Sequence, residues 1–430
     1  MIPRIGLSYH SACELLGIIR SGVKPADREM DAYFRAHRTL GPGERGFVAD
    51  TVYGCLRRLR SLEYRLSADS SDAFVVAAYL LTDGGISARV LERDAGIKDA
   101  TRIGDRLRER SLSGAPAPVQ ADLPDWFFER LLPATQGDED IAELADALKR
   151  PAPLDLRVNS LKATRDEAAD RLRAAGCDVT PTPYSPSGLR CKDHFAVFKS
   201  EIFRDGWIEI QDEASQLIAL CLDPRRHETV VDFCAGAGGK TLHLGALMHN
   251  TGLLYAYDTV DSRLERARER LRRAGLHNAR LQAIESERDI RLSRLRGKAD
   301  RVLVDAPCSG SGTWRRNPDQ KWRLAPTAID RLIRAQASIL NAAAHLVKTG
   351  GSLLYATCSL LPDENESVVR SFLERRAEFR LSPIQEVLDR RGIPLAADGP
   401  FLRLLPHRHH TDGFFAALMT CENPGDGATS

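Results

Sequence analysis

The feature that most constrains the fold is a short apolar strand that leads through a turn of small residues into a helix, at residues 230–241. The run from Val230 to Phe233 has the β-branched and aromatic composition of a buried strand. Residues 234–239 are small, and the leucines that follow indicate a helix. Glycine between a strand and a helix lets the backbone approach a ligand that the helix N–H groups face.

Two well-known phosphate-binding loops do not fit this turn. A Walker A loop requires glycine where this chain has Cys234, and the dinucleotide fingerprint requires glycine where it has Thr241. An acid, Asp258, ends the next apolar run at residues 253–257, and an acid in that place suits the two hydroxyls of a ribose. The segment therefore favours an adenosine cofactor over the alternative, a structural left-handed turn in a sheet without a ligand.

From residue 227 onward, strand-like and helix-like segments alternate. Such alternation predicts a parallel sheet covered by helices on both faces, with ligands at the carboxyl ends of the strands. Two further apolar runs near the end, at 401–405 and 413–420, predict a terminal hairpin. The five predicted strands of the alternation are 229–233, 253–257, 279–284, 301–305 and 351–357.

The front of the chain, from residue 8 to about 114, has the apolar spacing of helices, with one stripe formed by Ala12, Leu15, Leu16 and Ile19. Two consecutive arginines later in this segment, Arg57 and Arg58, are predicted to lie on a solvated face. Residues 113–118 are typical of a linker. Between the linker and residue 216, predicted strands at 154–158 and 207–211 and a helix at 163–174 indicate a small α+β module.

An acid and two thiols follow the fourth and fifth predicted strands. Asp305 and Cys308 come after one strand, and Cys358 comes after the next. Neighbouring strands lie roughly 5 Å apart, so both thiols are expected beside the glycine-rich turn. A lone cysteine at a strand end is usually a small buried hydrophobe, but two in turns of serine and glycine favour a functional role.

These groups fit the methylation of cytosine at carbon 5. A thiolate that adds to carbon 6 makes carbon 5 nucleophilic enough to attack a methylsulfonium, which divides one difficult step into two easier ones. The thiol must afterwards be expelled, and a second polar group can assist. Asp305 is placed to hydrogen-bond the exocyclic amine and ring nitrogen 3 of the base. Spacing alone leaves open whether Cys308 or Cys358 attacks.

The motifs resemble those of the Sun/Fmu (RsmB-like) RNA cytosine-5 methyltransferases, over about residues 150–420. Three motifs in the right order make this resemblance specific. The helical front segment is similar to the NusB-like RNA-binding domain of the rRNA-modifying members. The matching segments are 232–241, 305–312 and 355–359, with further likeness at 211–215 and 315–322.

The resemblance implies S-adenosylmethionine as cofactor and RNA as partner. It implies Cys358 as the nucleophile and Cys308 as the thiol that assists product release, with Asp305 beside them. The family usually has an aspartate after the third strand that holds the adenine amine, and Glu285 is the nearest substitute here. The cofactor-binding residues that it implies are Cys234, Ala235, Gly236, Ala237, Gly238, Gly239, Lys240, Asp258 and Asp305.

Three other patterns have simpler interpretations. Asp363 and Glu366 are spaced as the cap and third position of a helix. The arginines of segment 264–274, Arg266, Arg270 and Arg273, are predicted to face solvent. His407, His409 and His410 lack accompanying acid or thiol ligands, so no metal site is predicted. Basic and aromatic residues near the Cys308 turn are instead predicted to contact RNA, namely Trp314, Arg315, Arg316, Lys321, Trp322 and Arg323.

Bulk properties agree with a cytoplasmic RNA enzyme. The net charge of +2 excludes a polycation, and nine cysteines without a C-x-x-C pair indicate reduced thiols. We expect no signal peptide, no membrane segment and a monomer. The predicted fold is α/β, with a helical NusB-like domain (1–118), a small α+β RNA-binding module (119–216) and a Rossmann-like class I methyltransferase domain (217–424). Ribosomal RNA is the expected substrate; the alternatives are a tRNA methyltransferase and a non-catalytic ribosome assembly factor.

Overall fold

The computed structural model describes residues 4–67, 71–193 and 195–422. The predicted start of the chain, residues 1–3, and the end of the predicted methyltransferase domain, 423 and 424, lie outside these ranges. Among the described residues, no helix is both long enough and apolar enough to cross a lipid bilayer.

In chain order, the helices are α1 (Ile5–Ser21), α2 (Ala26–Ala36), α3 (Pro42–Arg57), α4 (Leu59–Leu66), α5 (Asp72–Thr82), α6 (Ala88–Ala95), α7 (Ala100–Glu109), α8 (Ala117–Gln120), α9 (Asp125–Leu131), α10 (Asp138–Leu148), α11 (Arg165–Ala174), α12 (Glu201–Arg204), α13 (Glu213–Leu222), α14 (Gly239–Leu247), α15 (Asp261–Ala274), α16 (Gln320–Arg323), α17 (Pro326–Ala344), α18 (Glu366–Arg375), α19 (Ile384–Arg390) and α20 (Pro406–His409). The strands are β1 (Leu154–Val158), β2 (Val179–Pro181), β3 (Gly188–Cys191), β4 (Ile208–Ile210), β5 (Thr229–Asp232), β6 (Leu253–Asp258), β7 (Ala279–Ala283), β8 (Ala299–Asp305), β9 (Val347–Thr357), β10 (Phe379–Ser382), β11 (Phe401–Leu404) and β12 (Phe414–Cys421).

The chain divides into two compact units, and one of them is discontinuous in sequence. The helical unit comprises Met1–Pro151 together with Thr313–Pro326, and the second unit comprises Ala152–Gly312 and Thr327–Ser430. The helical unit therefore extends past the boundary predicted at residue 118 and takes in α8, α9 and α10. The small α+β module and the large sheet belong to the second unit.

The helical unit has a core of leucine, valine and alanine side chains. The predicted stripe on α1 is confirmed, since Ala12, Leu15, Leu16 and Ile19 are all buried. This stripe packs with residues of α3 and α5 because apolar side chains three and four positions apart lie on one helix face.

The inserted segment 313–326 is part of the helical unit, and burial there contradicts the predicted RNA contact for three of its six basic and aromatic residues. Trp314, Arg315 and Lys321 are buried, and the Trp314 ring lies 4.3 Å from that of Phe127 between centroids. Arg57, predicted on a solvated face, is also buried and donates from Nη2 to the carbonyl of Arg315 at 2.8 Å. These cations therefore hold the helical unit together.

The small α+β module in the second unit is a sheet of four short strands in the order β2-β3-β1-β4. Its pairings are antiparallel, and α11 and α12 pack on it through apolar side chains. A capping box on Thr164 and Glu167 begins α11. The structure adds β3, which the sequence analysis missed because glycine, arginine and cysteine interrupt its apolar pattern.

The larger sheet runs in the order β10-β12-β9-β8-β5-β6-β7, with β11 paired to β12. Strands β5 to β9 are parallel, as predicted, and β12 runs antiparallel to β9. The predicted terminal hairpin is β11 and β12. Since β5 lies between β8 and β6, the chain leaves β5 at a switch in strand order, where open α/β sheets bind their ligands.

Two arginines of α15 depart from their predicted solvated face. Arg270 Nη2 lies 3.0 Å from Glu209 Oε2, and Arg273 also pairs with this buried carboxylate of β4. Arg270 Nη1 in addition donates to the carbonyl of Ala237 at 2.7 Å. Arg266 of the same helix is exposed, as predicted. The α+β module is thus connected through Arg270 to the glycine-rich turn.

Candidate active site

The glycine-rich turn between β5 and α14 is held by the neighbouring strand. Asp258, the last residue of β6, accepts from the backbone N–H of Gly236 at 2.9 Å. Gly236 and Gly238 have φ values of 56° and 81°, a region that favours glycine. A Cβ on Gly238 would lie 2.9 Å from that of Ala267, so α15 packs against the turn too closely for a side chain. The turn is therefore fixed beside a cavity.

This cavity has a volume of about 330 Å³ and opens at the carboxyl ends of β5, β6 and β8. A volume in this range suits a small molecule. The lining residues are Phe233, Cys234, Gly236, Asp258, Thr259, Arg263, Ile284, Glu287, Asp305, Ala306, Pro307, Cys308, Ile339 and Cys358.

The predicted site residues divide into two groups around this cavity. Six of them line it: Cys234, Gly236, Asp258, Asp305, Cys308 and Cys358. The other predicted residues do not line the cavity but lie directly behind the lining residues, in the glycine-rich turn and at the start of α14. They are Ala235, Ala237, Gly238, Gly239 and Lys240.

The acid after β7 differs from the prediction. Glu285 is exposed and outside the lining set, while Glu287 lines the cavity. Glu287 also accepts a hydrogen bond from the Ser338 hydroxyl of α17 at 2.6 Å, which lowers the pKa of its carboxyl group. Glu285 is the acid nearest to the strand in sequence, but the turn after Ile284 places Glu287 at the cavity.

The two thiols meet, as their positions at neighbouring strand ends predict. The Sγ atoms of Cys308 and Cys358 are 3.4 Å apart. The backbone N–H of Gly312 donates to the carbonyl of Cys358 at 2.9 Å and ties the two turns together. The hydrogen bond with Cys358, together with burial, raises the pKa of the Cys308 thiol well above its usual value. Cys308 is therefore a thiol and not a thiolate at neutral pH.

A lysine and an aspartate form an ion pair beside the thiols. Lys240 Nζ lies 2.6 Å from Asp305 Oδ2. Burial opposes the charge on Lys240, but the attraction of Asp305, with a contribution from Cys358, outweighs burial and raises the pKa of the lysine. Lys240 thus places a permanent positive charge near the carboxylate and the thiol of Cys358.

Glu364 is a site residue that sequence reasoning missed. The predicted cap of α18 is wrong, because the helix begins at Glu366 after Asn365, which makes no side-chain cap. Glu364 instead is fully buried and accepts from the Ser309 backbone N–H at 2.8 Å and from the Ser359 hydroxyl at 2.5 Å. Gln336 of α17 donates to the same carboxylate at 2.9 Å. Because Ser309 and Ser359 each follow a thiol, Glu364 connects the two thiol-bearing turns.

Comparison with known proteins identifies the family. A family model described as 16S rRNA methyltransferase RsmB/F matches residues 219–420, and one for the RsmF/B-like ferredoxin-like domain matches residues 123–198. The chain is 37% identical to the probable ribosomal RNA small subunit methyltransferase B of Synechocystis, over 91% of this chain and 94% of that protein. The chain belongs to the RsmB/F family of rRNA methyltransferases.

Further relatives agree in sequence and in fold. The probable ribosomal RNA small subunit methyltransferase B of Bacillus subtilis is 30% identical over 88% of this chain and 91% of its own length. The crystal structure of PH0851 superposes with a TM-score of 0.76 at 29% identity, covering 98% of this chain and 99% of that one. A methyltransferase homologue from Pyrococcus horikoshii superposes with a TM-score of 0.61 at 29% identity, over 73% of this chain and all of that one.

Members of this family use S-adenosylmethionine, and the residues around the cavity fit it. The carboxylate Oδ1 of Asp232, at the end of β5, is buried without a hydrogen-bond partner among the described residues. Burial raises the pKa of Asp232 to about 7. An unpaired buried oxygen behind a glycine-rich turn that borders a cavity is typical of a strand end that receives a polar ligand.

Proposed function

We propose that the chain methylates carbon 5 of a cytosine in small-subunit ribosomal RNA, through a covalent adduct between Cys358 and carbon 6. The observation that carries this proposal is the 3.4 Å separation of the Cys308 and Cys358 sulfurs in one cavity with the glycine-rich turn. Membership of the RsmB/F family supports the same reaction. Two thiols, a carboxylate and a nucleotide-type turn are the groups that this chemistry requires.

The first step is the addition of the Cys358 thiolate to carbon 6 of the target cytosine. The proton that the Cys358 thiol gives up passes to ring nitrogen 3, and Asp305 accepts hydrogen bonds from this nitrogen and from the exocyclic amine, which stabilises the charge on the ring. The Lys240 ammonium holds the Asp305 carboxylate at the cavity wall. The base must leave its stack to reach a thiol inside a cavity, so the substrate cytosine is flipped or unpaired.

Cys308 assists the last step, in which the carbon-6 bond is broken. After water has taken the carbon-5 proton, the sulfur of Cys358 departs as a thiolate. Cys308 remains protonated because its pKa is raised by the hydrogen bond with Cys358. It therefore donates a hydrogen bond to the departing sulfur and stabilises it.

Cys234, Gly236 and Asp258 would hold S-adenosylmethionine at the cavity, with the rest of the turn and Lys240 behind them. When bound, S-adenosylmethionine supplies the electrophilic methyl group that carbon 5 takes. Asp258 suits the ribose hydroxyls. For the adenine amine, we assign Glu287 in place of the predicted Glu285, because only Glu287 of these two lines the cavity.

The names of two relatives support the proposed substrate. Both are named probable ribosomal RNA small subunit methyltransferase B, which favours rRNA over the alternatives of tRNA and of a non-catalytic assembly factor. The reaction needs reduced thiols, and the cytoplasm maintains them.

The test uses purified protein, S-adenosylmethionine and small-subunit rRNA, with tRNA as a competing substrate. We expect Cys358→Ala to abolish methyl transfer and to form no covalent RNA adduct. Cys308→Ala should accumulate an adduct that survives a denaturing gel, because expulsion of Cys358 is slowed. Cys421→Ala is the control, because Cys421 is the last residue of β12 and does not line the cavity. This variant should behave as the unaltered protein. Full methylation by Cys358→Ala would refute the proposed nucleophile.

The RNA target is tested in cells. Sequencing of 5-methylcytosine in RNA from a strain that lacks the gene should show one loss in small-subunit rRNA, restored by the unaltered gene and not by Cys358→Ala. A loss of 5-methylcytosine that is confined to tRNA would show that the substrate is tRNA and not rRNA, while the proposed reaction would stand.

A further inference from the structure

Two pairs of thiols in the second unit have the same sulfur separation and opposite surroundings. Cys308 and Cys358 lie 3.4 Å apart, half-buried, in the wall of the cavity. Cys177 and Cys191 also lie 3.4 Å apart, but both are buried in the core of the α+β module. The structure thus provides one thiol pair that a small molecule can reach and a matched pair that it cannot.

We propose that Cys308 and Cys358 are a modification site, at which a small-molecule disulfide such as oxidised glutathione converts them to a reversible intramolecular disulfide. The disulfide removes the sulfur that attacks carbon 6 and so stops methyl transfer; this consequence, unlike the modification itself, rests on the proposed function. Disulfides of intracellular proteins are usually transient and redox-sensing.

The reaction proceeds by two exchanges. The sulfur of Cys358 attacks one sulfur of oxidised glutathione; a mixed disulfide forms, and the first glutathione leaves with the proton of Cys358. The sulfur of Cys308 then attacks the Cys358 sulfur, and the second glutathione leaves with the proton of Cys308. The two cysteine sulfurs are oxidised and one oxidised glutathione is reduced to two glutathione molecules. No metal or further oxidant is needed.

The geometry favours the second exchange over the escape of the mixed disulfide. The sulfurs have to approach by about 1.4 Å to reach the bond length of a disulfide. Glu364 bonds both to the residue after Cys308 and to the residue after Cys358, and the Gly312 N–H bonds to the Cys358 carbonyl. Because these contacts hold the two turns together, ring closure has the advantage of an intramolecular reaction.

Burial protects the second pair. Cys177 is 2% exposed and Cys191 is 6% exposed, so oxidised glutathione has no access to either sulfur. Exchange requires contact between the attacking sulfur and the disulfide reagent. Equal separation with unequal access therefore predicts that oxidised glutathione links the cavity pair and leaves the core pair reduced.

The experiment treats the reduced full-length protein with oxidised glutathione and measures intact mass, the linked peptides and methyl transfer. We expect a mass lower by two hydrogen atoms, a peptide link between Cys308 and Cys358, and loss of methyl transfer in proportion to the linked fraction. Dithiothreitol should restore all three. The Cys177→Ser/Cys191→Ser double variant should behave identically, while Cys308→Ser should keep one glutathione on Cys358.

Three results would overturn the modification site. They are a stable mixed disulfide in the unaltered protein, a link that involves Cys234 or the core pair, and free Cys308 and Cys358 after treatment. The two proposals also fail separately. A link between Cys308 and Cys358 in a protein that never methylates rRNA would refute the proposed function alone, whereas an active enzyme that forms no link would refute the modification alone.

Discussion

The carboxylate of Glu364 contacts both turns that carry the thiols, although it belongs to neither strand that precedes them. It accepts from Ser309 and Ser359 and is supported by Gln336. In sequence, Glu364 stands in a run of acids before a helix, which is the local pattern of a cap. Its role depends on two turns fifty residues apart in sequence, and no local pattern reports such a contact.

Replacing Glu364 by glutamine tests this role. The amide has one acceptor oxygen where the carboxylate has two, so the Ser309 N–H and the Ser359 hydroxyl can no longer donate to separate oxygens of this side chain, and the thiols lose their fixed separation. We expect kcat to fall by about tenfold to a hundredfold, as for a lost hydrogen bond to a buried charge. KM for RNA should change little, because Glu364 is fully buried and does not line the cavity.

Steady-state kinetics with rRNA measure both constants, and circular dichroism checks the fold. Glu374→Gln, an exposed position on the following helix α18, is the control. A variant Glu364→Gln with unchanged kcat would show that the serine contacts do not position the thiols.

Among the secondary-structure elements, long apolar strands can be predicted from the sequence, whereas short strands and the contacts of charged helix faces cannot. Strands β5, β6, β8 and β9 are predicted because each has an apolar run, whereas β7, which contains Arg280 and Gln282, is predicted from the alternation of strands and helices. Strand β10 was missed, since four residues with alternating character carry little signal. Arg270 and Arg273 are predicted to face solvent because helical periodicity places them opposite the apolar face. Their partner, the buried carboxylate of Glu209, comes from another sheet and leaves both arginines only partly exposed.

The contact of Arg270 with the Ala237 carbonyl predicts a role for α15 in cofactor affinity. Arg270→Met removes the charged donor that holds the glycine-rich turn, and a hydrogen bond from a charged group contributes about 1.5–3 kcal/mol. We expect the Kd for S-adenosylmethionine, measured by calorimetry, to rise about tenfold or more. Arg266→Met, on the exposed face of the same helix, should leave the Kd unchanged. Equal effects of the two variants would indicate a general electrostatic contribution instead.

For the whole molecule, the order of domains could be predicted and their discontinuity could not. Composition separates the helical front from the β–α alternation, but nothing in residues 313–326 indicates that this insert belongs to the helical unit. Trp314 and Lys321 follow the Cys308 turn in sequence and have the composition of an RNA contact. Both are buried by residues that lie more than 180 positions earlier in sequence, a long-range packing effect that local patterns do not encode.

The buried Lys321 makes the stability of the helical unit depend on pH. Its ammonium donates to the carbonyls of Arg57 and Asp122, at 2.7 and 2.8 Å, yet burial lowers its pKa from 10.5 to about 7. Between these two values the unfolded chain carries a proton that the folded chain lacks, so the free energy of unfolding rises with pH. We expect a gain of about 2 kcal/mol from pH 7 to pH 9.

Urea unfolding followed by tryptophan fluorescence measures this gain, because Trp126, Trp314 and Trp322 all lie in the helical unit. Lys321→Met keeps the length of the side chain and removes its proton. The difference between the two proteins isolates Lys321 from other groups that titrate in the same range, such as buried thiols. This difference should change by about 2 kcal/mol between pH 7 and pH 9. A difference independent of pH would mean that the lysine keeps its proton in the folded state.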